Sequence, residues 1–465
     1  MKRVIAFDFL RGIAIIGVLL FHVFNIAYSQ RADQVQAAIE HHESLEWYWY
    51  VIAIFLITLG AFNGMFLMIS AGSNAMSVHK QWENMVVKNN MDKAIAFRKI
   101  LKSQILRGAM IWALGFVSEN IFATWLGELQ QIIHQQPVSS FLDDMVKGFF
   151  FTNILNTIGI SLIITSFIQL VYLKSGASRA KMSKALIFVA IACIALMPVM
   201  RAYVYPLFTS GTDTFSNDLG TITAGEIVAR FFLAIFIGRI TPLIPYFACA
   251  AIGLMLAINI AEKAITPEFL QKMLWLGLLF VAGSIPLGLA FDFSLGSRER
   301  NAFWMTFVLG LEIMSVAYII YMVDFRRKTK TATFLKWTIW IRRFGVMTLT
   351  LWMLQYIMVF PVILIELITG WPMIGLAPGS SPGGLNDWQV WIVLLLLLGM
   401  WHVILLLWER VKFVGSFEWL TSLALSKGAS SSGDRLNIKG ILYETERVIE
   451  WVPGKKARNH GNIEP

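Results

Sequence analysis

Apolar residues run along this chain in long stretches, broken by short polar segments. Ten stretches reach the roughly 20 residues that a helix needs to cross a hydrocarbon core. They cover about 5–28, 48–77, 104–126, 148–173, 185–205, 241–261, 272–291, 302–323, 344–368 and 388–411. The polar connectors between them alternate in charge. The second, 78–103, carries Lys80, Lys88, Lys93, Arg98, Lys99 and Lys102. The fourth, 174–184, carries Lys174, Arg179, Lys181 and Lys184, and the eighth, 324–343, runs from Arg326 and Arg327 to Arg342 and Arg343. The sixth is short, with Lys263 and Lys272. The first sets Arg31 against Asp33, Glu40, Glu43 and Glu46, and the ninth has no Lys or Arg between Gly370 and Gly384. Basic connectors stay on the cytoplasmic side, so this alternation predicts that the even connectors and both termini are cytoplasmic. Trp47, Trp125, Trp371 and Trp388 then mark the outer interface, and Trp275, Trp337 and Trp408 the inner one.

Composition agrees. A chain of 465 residues would otherwise suggest about three soluble domains. Yet 57% of it is hydrophobic and only 15% charged, against about 25% charged in soluble domains. So few charges cannot coat a globular surface, and disordered, collagenous and coiled-coil chains are excluded as well. The expected fold is an all-α polytopic membrane protein of about ten transmembrane helices. Residues 1–413 form the helical domain, and 414–465 a cytoplasmic C-terminal extension. Part of that extension, around Gly428-Ala429-Ser430-Ser431-Ser432-Gly433, is expected to be disordered. The net charge of +10 reads as basic cytoplasmic loops rather than nucleic-acid binding. Cys193 and Cys249 lie in apolar runs and read as inert core residues. The N-terminus is expected to be retained, because its apolar run is too long for a signal peptide and contains Asp8, Arg11 and His22.

Those three residues carry the strongest chemical signal. An Asp or Arg at a helix centre disfavours insertion by roughly 2.5–3.5 kcal/mol. At 100° per residue, Arg11 and His22 differ by only about 20° around the axis and by roughly 16 Å along it. Asp8 falls on the same face. One polar stripe therefore points into the bundle or a wet cavity. The plain structural alternative is an Asp8–Arg11 pair anchoring the helix end, with Arg11 reaching toward the interface. Glu312, Asn63, Asn156, Gln355 and His402 also lie in or near spans, where helix–helix hydrogen bonds explain Asn and Gln at least as well as chemistry does. No metal-ligand spacing, phosphate loop, dinucleotide fingerprint or nucleophile elbow stands out, and no metal is expected.

Arg3-Val4-Ile5-Ala6-Phe7-Asp8-Phe9-Leu10-Arg11-Gly12-Ile13-Ala14, followed by His22, resembles the opening of the transmembrane acyltransferase superfamily. The Arg, ten residues, His spacing is similar to that of family-3 acyltransferases, which decorate cell-surface polysaccharides. Segments Gly60 to Gly72, Arg98 to Gly115, Asn153 to Gly159, Pro242 to Gly253, Phe344 to Thr350 and Gly415 to Leu420 look closer to the heparan-alpha-glucosaminide N-acetyltransferase and YeiB-like branches. Two departures stand out. Ser416 replaces a usual Pro, and the lysosomal branch has Asn where His22 stands, with its catalytic His in the first non-cytoplasmic loop.

The resemblance implies an integral membrane acyltransferase. It would move an acyl group, acetyl above all, from cytoplasmic acyl-CoA to an extracytoplasmic acceptor such as a sugar or glycan. Its partners would be membrane lipids, acyl-CoA and that acceptor, with no nucleic acid, and self-association into a homo-oligomer stays open. A bacterial or archaeal plasma membrane is the expected location. The donor is a polyanion and needs a cationic cytoplasmic mouth, for which Arg98, Lys99, Lys102, Arg107, Arg342 and Arg343 are the candidates, with Arg11 inside the span and Asp8 beside it as further donor-site residues; guanidinium groups bind phosphate bidentately. A neutral imidazole can act as general base on the acceptor; His22 is the first candidate and His41 and His42 in the first loop the reserves. The alternative is a secondary transporter or flippase that uses the same intramembrane Asp, Arg, His and Glu residues.

Overall fold

The computed structural model describes residues 4–27, 63–125, 152–204, 224–238, 241–262, 265–291, 301–324, 328–374, 385–425, 436 and 438–443. These residues are overwhelmingly helical, with no strand among them. In chain order the helices are α1 (Ile5–Ala27), α2 (Asn63–Trp82), α3 (Lys93–Val117), α4 (Ile154–Ser175), α5 (Arg179–Val199), α6 (Ala224–Ile237), α7 (Leu243–Ala261) and α8 (Pro267–Phe291). They continue with α9 (Ala302–Asp324), α10 (Lys328–Val346), α11 (Thr348–Leu354), α12 (Val359–Thr369), α13 (Asp387–Arg410), α14 (Phe417–Leu425) and α15 (Ile438–Leu442).

Nine helical stretches among the described residues are long and apolar enough to cross a membrane, and they coincide with nine of the ten predicted spans. The chain is an integral membrane protein. The tenth prediction, 48–77, falls partly outside the described residues. Its described part, α2, carries Asn63, Ser70, Ser73, Asn74, Ser77, His79 and Lys80, which dilute its hydropathy. Helix neighbours rather than lipid meet most of these groups, while Lys80 is exposed near the end of α2.

Three connectors differ from the sequence reading. The basic segment 78–103 is mostly helical, since α2 runs through a π turn at Glu83–Lys88 and α3 starts at Lys93 behind an Asp92 cap. The Asp92 carboxylate accepts from Ala94 N at 2.8 Å and Ile95 N at 3.1 Å. The segment before span six contains α6, whose apolar stretch Val228–Ile237 rises only about 15 Å, about half the thickness of a hydrocarbon core. The basic segment 324–343 folds as α10, which packs along α1.

Small residues let backbones meet where side chains would hold them apart. At Gly253 of α7 an added Cβ would stand 2.1 Å from the Met68 carbonyl of α2. α3 and α4 touch at Gly108 and Gly159 in the same way. The Asn153 to Gly159 segment resolves into structure. Asn153 and Asn156 form a reciprocal cap at the start of α4. Their amides also donate to the α3 carbonyls of Gly115 at 2.7 Å and Trp112 at 2.8 Å. α7 is buried on nearly every side between α2 and α5. α5, α8, α12 and α13 turn large apolar side chains outward, among them Phe188, Leu289, Leu367 and Leu395, as lipid-facing helices do.

Candidate functional site

α1 begins on a long-range cap. Asp324, the last residue of α9, accepts from Ile5 N at 3.3 Å and Ala6 N at 3.2 Å, so a buried carboxylate meets the positive helix N-terminus. Asp8 and Arg11 follow one turn later, 3.8 Å apart. Asp8 is buried and Arg11 half-buried, and Arg11 Nη2 donates to Ser73 Oγ on α2 at 2.9 Å. From the other side of α2, Arg107 of α3 donates through Nη1 to Asn74 Oδ1 at 3.0 Å. Asn74 in turn donates to Ser166 on α4 at 2.9 Å. Two guanidinium groups from different helices are therefore held by consecutive residues, Ser73 and Asn74.

Each arginine lines a cavity. Arg107, Met110, Thr421 and Ser422 wall a space of about 370 Å³. Arg11, Phe66, Ser70, Ile158, Thr348 and Trp352 wall a second of about 170 Å³. Ile111, Leu349 and Glu418 belong to both walls, so the two chambers adjoin. The larger pairs a cation with two hydroxyls. The smaller has a mixed wall, polar at Arg11, Ser70, Thr348 and Glu418 and apolar at Phe66, Ile154, Leu155 and Ile158.

Glu418 explains why the Phe344 to Thr350 and Gly415 to Leu420 segments matter together. Its Oε1 accepts from Leu349 N at 2.6 Å and Thr350 N at 3.2 Å, and its Oε2 accepts from the Thr350 hydroxyl. Phe417 N donates back to Thr350 Oγ1 at 2.8 Å. Ser416, standing where a Pro was expected, accepts from Trp419 N at 3.1 Å and starts α14. Glu418 thereby fastens α14 onto the N-terminus of α11, where the two chambers join. Burial pushes its carboxyl above the ordinary value, against the opposing pull of the hydrogen bonds from Thr350 and from the backbone. Nothing local in the sequence announced this pairing, because its partners lie more than 65 residues apart; only the two quoted segments hinted at it.

The other expected residues are not gathered here. Arg98 and Lys99 are exposed near the start of α3. Nine residues place Arg98 about 180° around the helix from Arg107, and eight place Lys99 about 80° from it. His22 is half-buried on α1 with the Phe21 ring edge-on at 6.2 Å, and it lines neither chamber. His41 and His42 lie outside the described residues. Arg342 and Arg343 serve the fold. Arg342 is buried and donates to the carbonyls of Leu335 at 3.1 Å and Leu442 at 2.7 Å. Arg343 pairs with Glu409, which also accepts from the Tyr443 hydroxyl at 2.6 Å. Together they tie α15, within the predicted extension, back onto α10. Glu312, fully buried, accepts from the Cys249 thiol at 3.6 Å beneath Gly64, a contact among α2, α7 and α9. Among the described residues, no group of three or more His, Cys, Asp or Glu is placed to hold a metal. Comparisons with models of protein families, with curated proteins and with solved structures find no match to this chain.

Proposed function

We propose that this chain is a membrane acyltransferase that takes an acyl group, acetyl by preference, from cytoplasmic acyl-CoA and passes it to an extracytoplasmic acceptor, a sugar or glycan. One observation carries the reading. Arg11 and Arg107, both inside apolar spans, are held on adjacent residues of α2, and each lines one of two adjoining chambers. An arginine within a span disfavours insertion unless it faces a partner or a polar ligand. Arg107 beside the Thr421 and Ser422 hydroxyls, with Arg11 in the adjoining chamber, suits a phosphate-bearing head group, which guanidinium grips bidentately. The smaller chamber suits the pantetheine arm of the same molecule, which threads from there toward His22 and carries the thioester to it.

The base is His22. Its neutral imidazole takes the proton from an acceptor hydroxyl or amine as that atom bonds to the thioester carbonyl carbon. The carbon–sulfur bond then breaks, and CoA leaves with the electron pair as its thiolate, which the imidazolium proton neutralises. Asp8 positions Arg11 rather than binding the donor itself. Arg98 and Lys99 contribute a general positive potential at the entrance.

Binding of acetyl-CoA to the purified protein tests the donor site. Arg11→Lys keeps the charge and loses the fork, so affinity should fall about tenfold, and Arg11→Ala should lower it by on the order of a hundredfold. Unchanged affinity in a folded Arg11→Ala protein would return Arg11 to the role of a helix anchor. The orientation has its own check. Ala180, exposed at the start of α5, belongs to the cytoplasmic side. Ala180→Cys should react with an impermeant maleimide only after the membrane is opened, and labelling of intact cells would invert the topology.

A further inference from the structure

Two residues on the wall of the larger chamber keep donors that no protein group takes up. Arg107 is held through Nη1 alone, by Asn74 Oδ1 at 3.0 Å. Its Nε and Nη2 meet no acceptor among the described residues, and a molecule the size of water reaches both. The Ser422 hydroxyl is in the same state. Thr421 beside it is not, since its hydroxyl already donates to the Glu418 carbonyl at 2.9 Å. Glu418, on the same wall, commits both carboxylate oxygens to Leu349 and Thr350 at the start of α11.

The bond to Asn74 decides which part of Arg107 is left. A guanidinium grips a phosphate through two parallel N–H groups, and the Nε–Nη2 edge is one such pair. Asn74 takes Nη1 and leaves that edge whole. Asn74 is itself buried and fixed from behind, because its Nδ2 donates to Ser166 Oγ on α4 at 2.9 Å. A long side chain ordered beforehand loses less freedom when a ligand binds. We infer that Asn74 is a positioning residue: it holds Arg107 so that the Nε–Nη2 edge, with the Ser422 hydroxyl, grips the diphosphate of the acyl-CoA donor. This rests on the acyl-CoA reading. The diphosphate is joined directly to the pantetheine arm. With the arm in the smaller chamber, it is the first charged group to enter the larger one past Ile111, Leu349 and Glu418, and the phosphate on the ribose lies further out.

Equilibrium binding tests this with acetyl-CoA and with acetyl-dephospho-CoA, which keeps the diphosphate and lacks the phosphate on the ribose. Asn74→Ala should weaken both by about five- to tenfold, the worth of one hydrogen bond. The same change made in Arg107→Lys, which has no edge to present, should weaken them by less than about twofold. A residue that only held α2 against α3 and α4 would show the same loss in both backgrounds, and that result would overturn the inference. A loss confined to acetyl-CoA would overturn it as well, since the edge would then read the ribose phosphate. Ser422→Ala keeps the test open if Asn74→Ala does not fold. It should weaken both ligands by about five- to tenfold, and Thr421→Ala by less than about twofold. Equal losses in these two variants, or the larger loss in Thr421→Ala, would count against the inference. If the unaltered protein binds neither ligand, the acyl-CoA reading falls and takes this inference with it, an outcome distinct from the others.

Discussion

Replacing His22 by alanine is expected to stop acyl transfer while acetyl-CoA stays bound, with kcat lower by on the order of 10²–10⁴-fold. The two effects separate because the two sites do. Arg11 lines a chamber, whereas His22 stands roughly 16 Å further along the same face of α1 and lines neither chamber. α11 runs beside α1 toward that depth. Gly345 abuts Asp8 and Gly12, and Gln355 lies ten residues past Gly345, just as His22 lies ten past Gly12. His22 therefore stands about 15 Å beyond the contact along α1. Turnover with radiolabelled acetyl-CoA and a panel of glycan acceptors reads the first effect, and equilibrium binding reads the second. If His22→Ala keeps its turnover while the His41→Ala, His42→Ala double variant is inactive, the base belongs to the first loop. If all three stay active, a histidine mechanism at these positions fails and transport gains ground.

The spans were legible because lipid imposes the same demand on every residue of a crossing helix, so hydropathy and connector charge suffice to find them. The Asp8–Arg11 pair was legible as well, since it is set by the period of one helix. What joins different helices was not. Asp324 caps α1 from 318 and 319 residues away, and Glu418 caps α11 from 68 and 69. A carboxylate near a span end reads the same in sequence whether it meets water or a distant helix N-terminus. Arg107 illustrates the converse. Among the basic residues at the start of α3 it looked like one more inward-facing charge, yet its register turns it toward Asn74 while Arg98 points away. Arg342 and Arg343 looked equally suited to phosphate, and their partners Leu442 and Glu409 came from segments that no periodicity connects to them. In α2 the two residues that hold the arginines, Ser73 and Asn74, are inconspicuous polar groups within an apolar run, and nothing in the run shows which helix each one meets.

Gly345→Ala should be strongly damaging, because it adds a methyl where two of the helices that build the site meet. An added Cβ would stand 2.2 Å from the Asp8 carbonyl oxygen and 2.9 Å from Gly12 N. The reciprocal contact is as close, with a Cβ on Gly12 only 2.0 Å from the Ile341 carbonyl oxygen. Every one of these near atoms is backbone except the Ile341 methyl, so no rotamer change relieves the clash and α1 must move off α10. Overpacking of this kind destabilises by about 1–3 kcal/mol, and contacts against main chain fall at the upper end. Displacing α1 also moves Asp8 and Arg11 relative to Val346, Thr348 and Leu349, which share the chamber wall with Arg11. Gly345→Ala should therefore lower both the thermal midpoint in detergent and the affinity for acetyl-CoA. Gly399→Ala on α13 is the matched control, since a Cβ there meets nothing within 4 Å and alanine favours helix by about 1 kcal/mol. It should be as stable as the unaltered protein or more so, with acetyl-CoA affinity unchanged. Equal thermal midpoints for the two variants would mean that α1 and α10 do not meet backbone to backbone. The placement of Arg11 on the chamber wall, which follows from that contact, would then have to be redrawn.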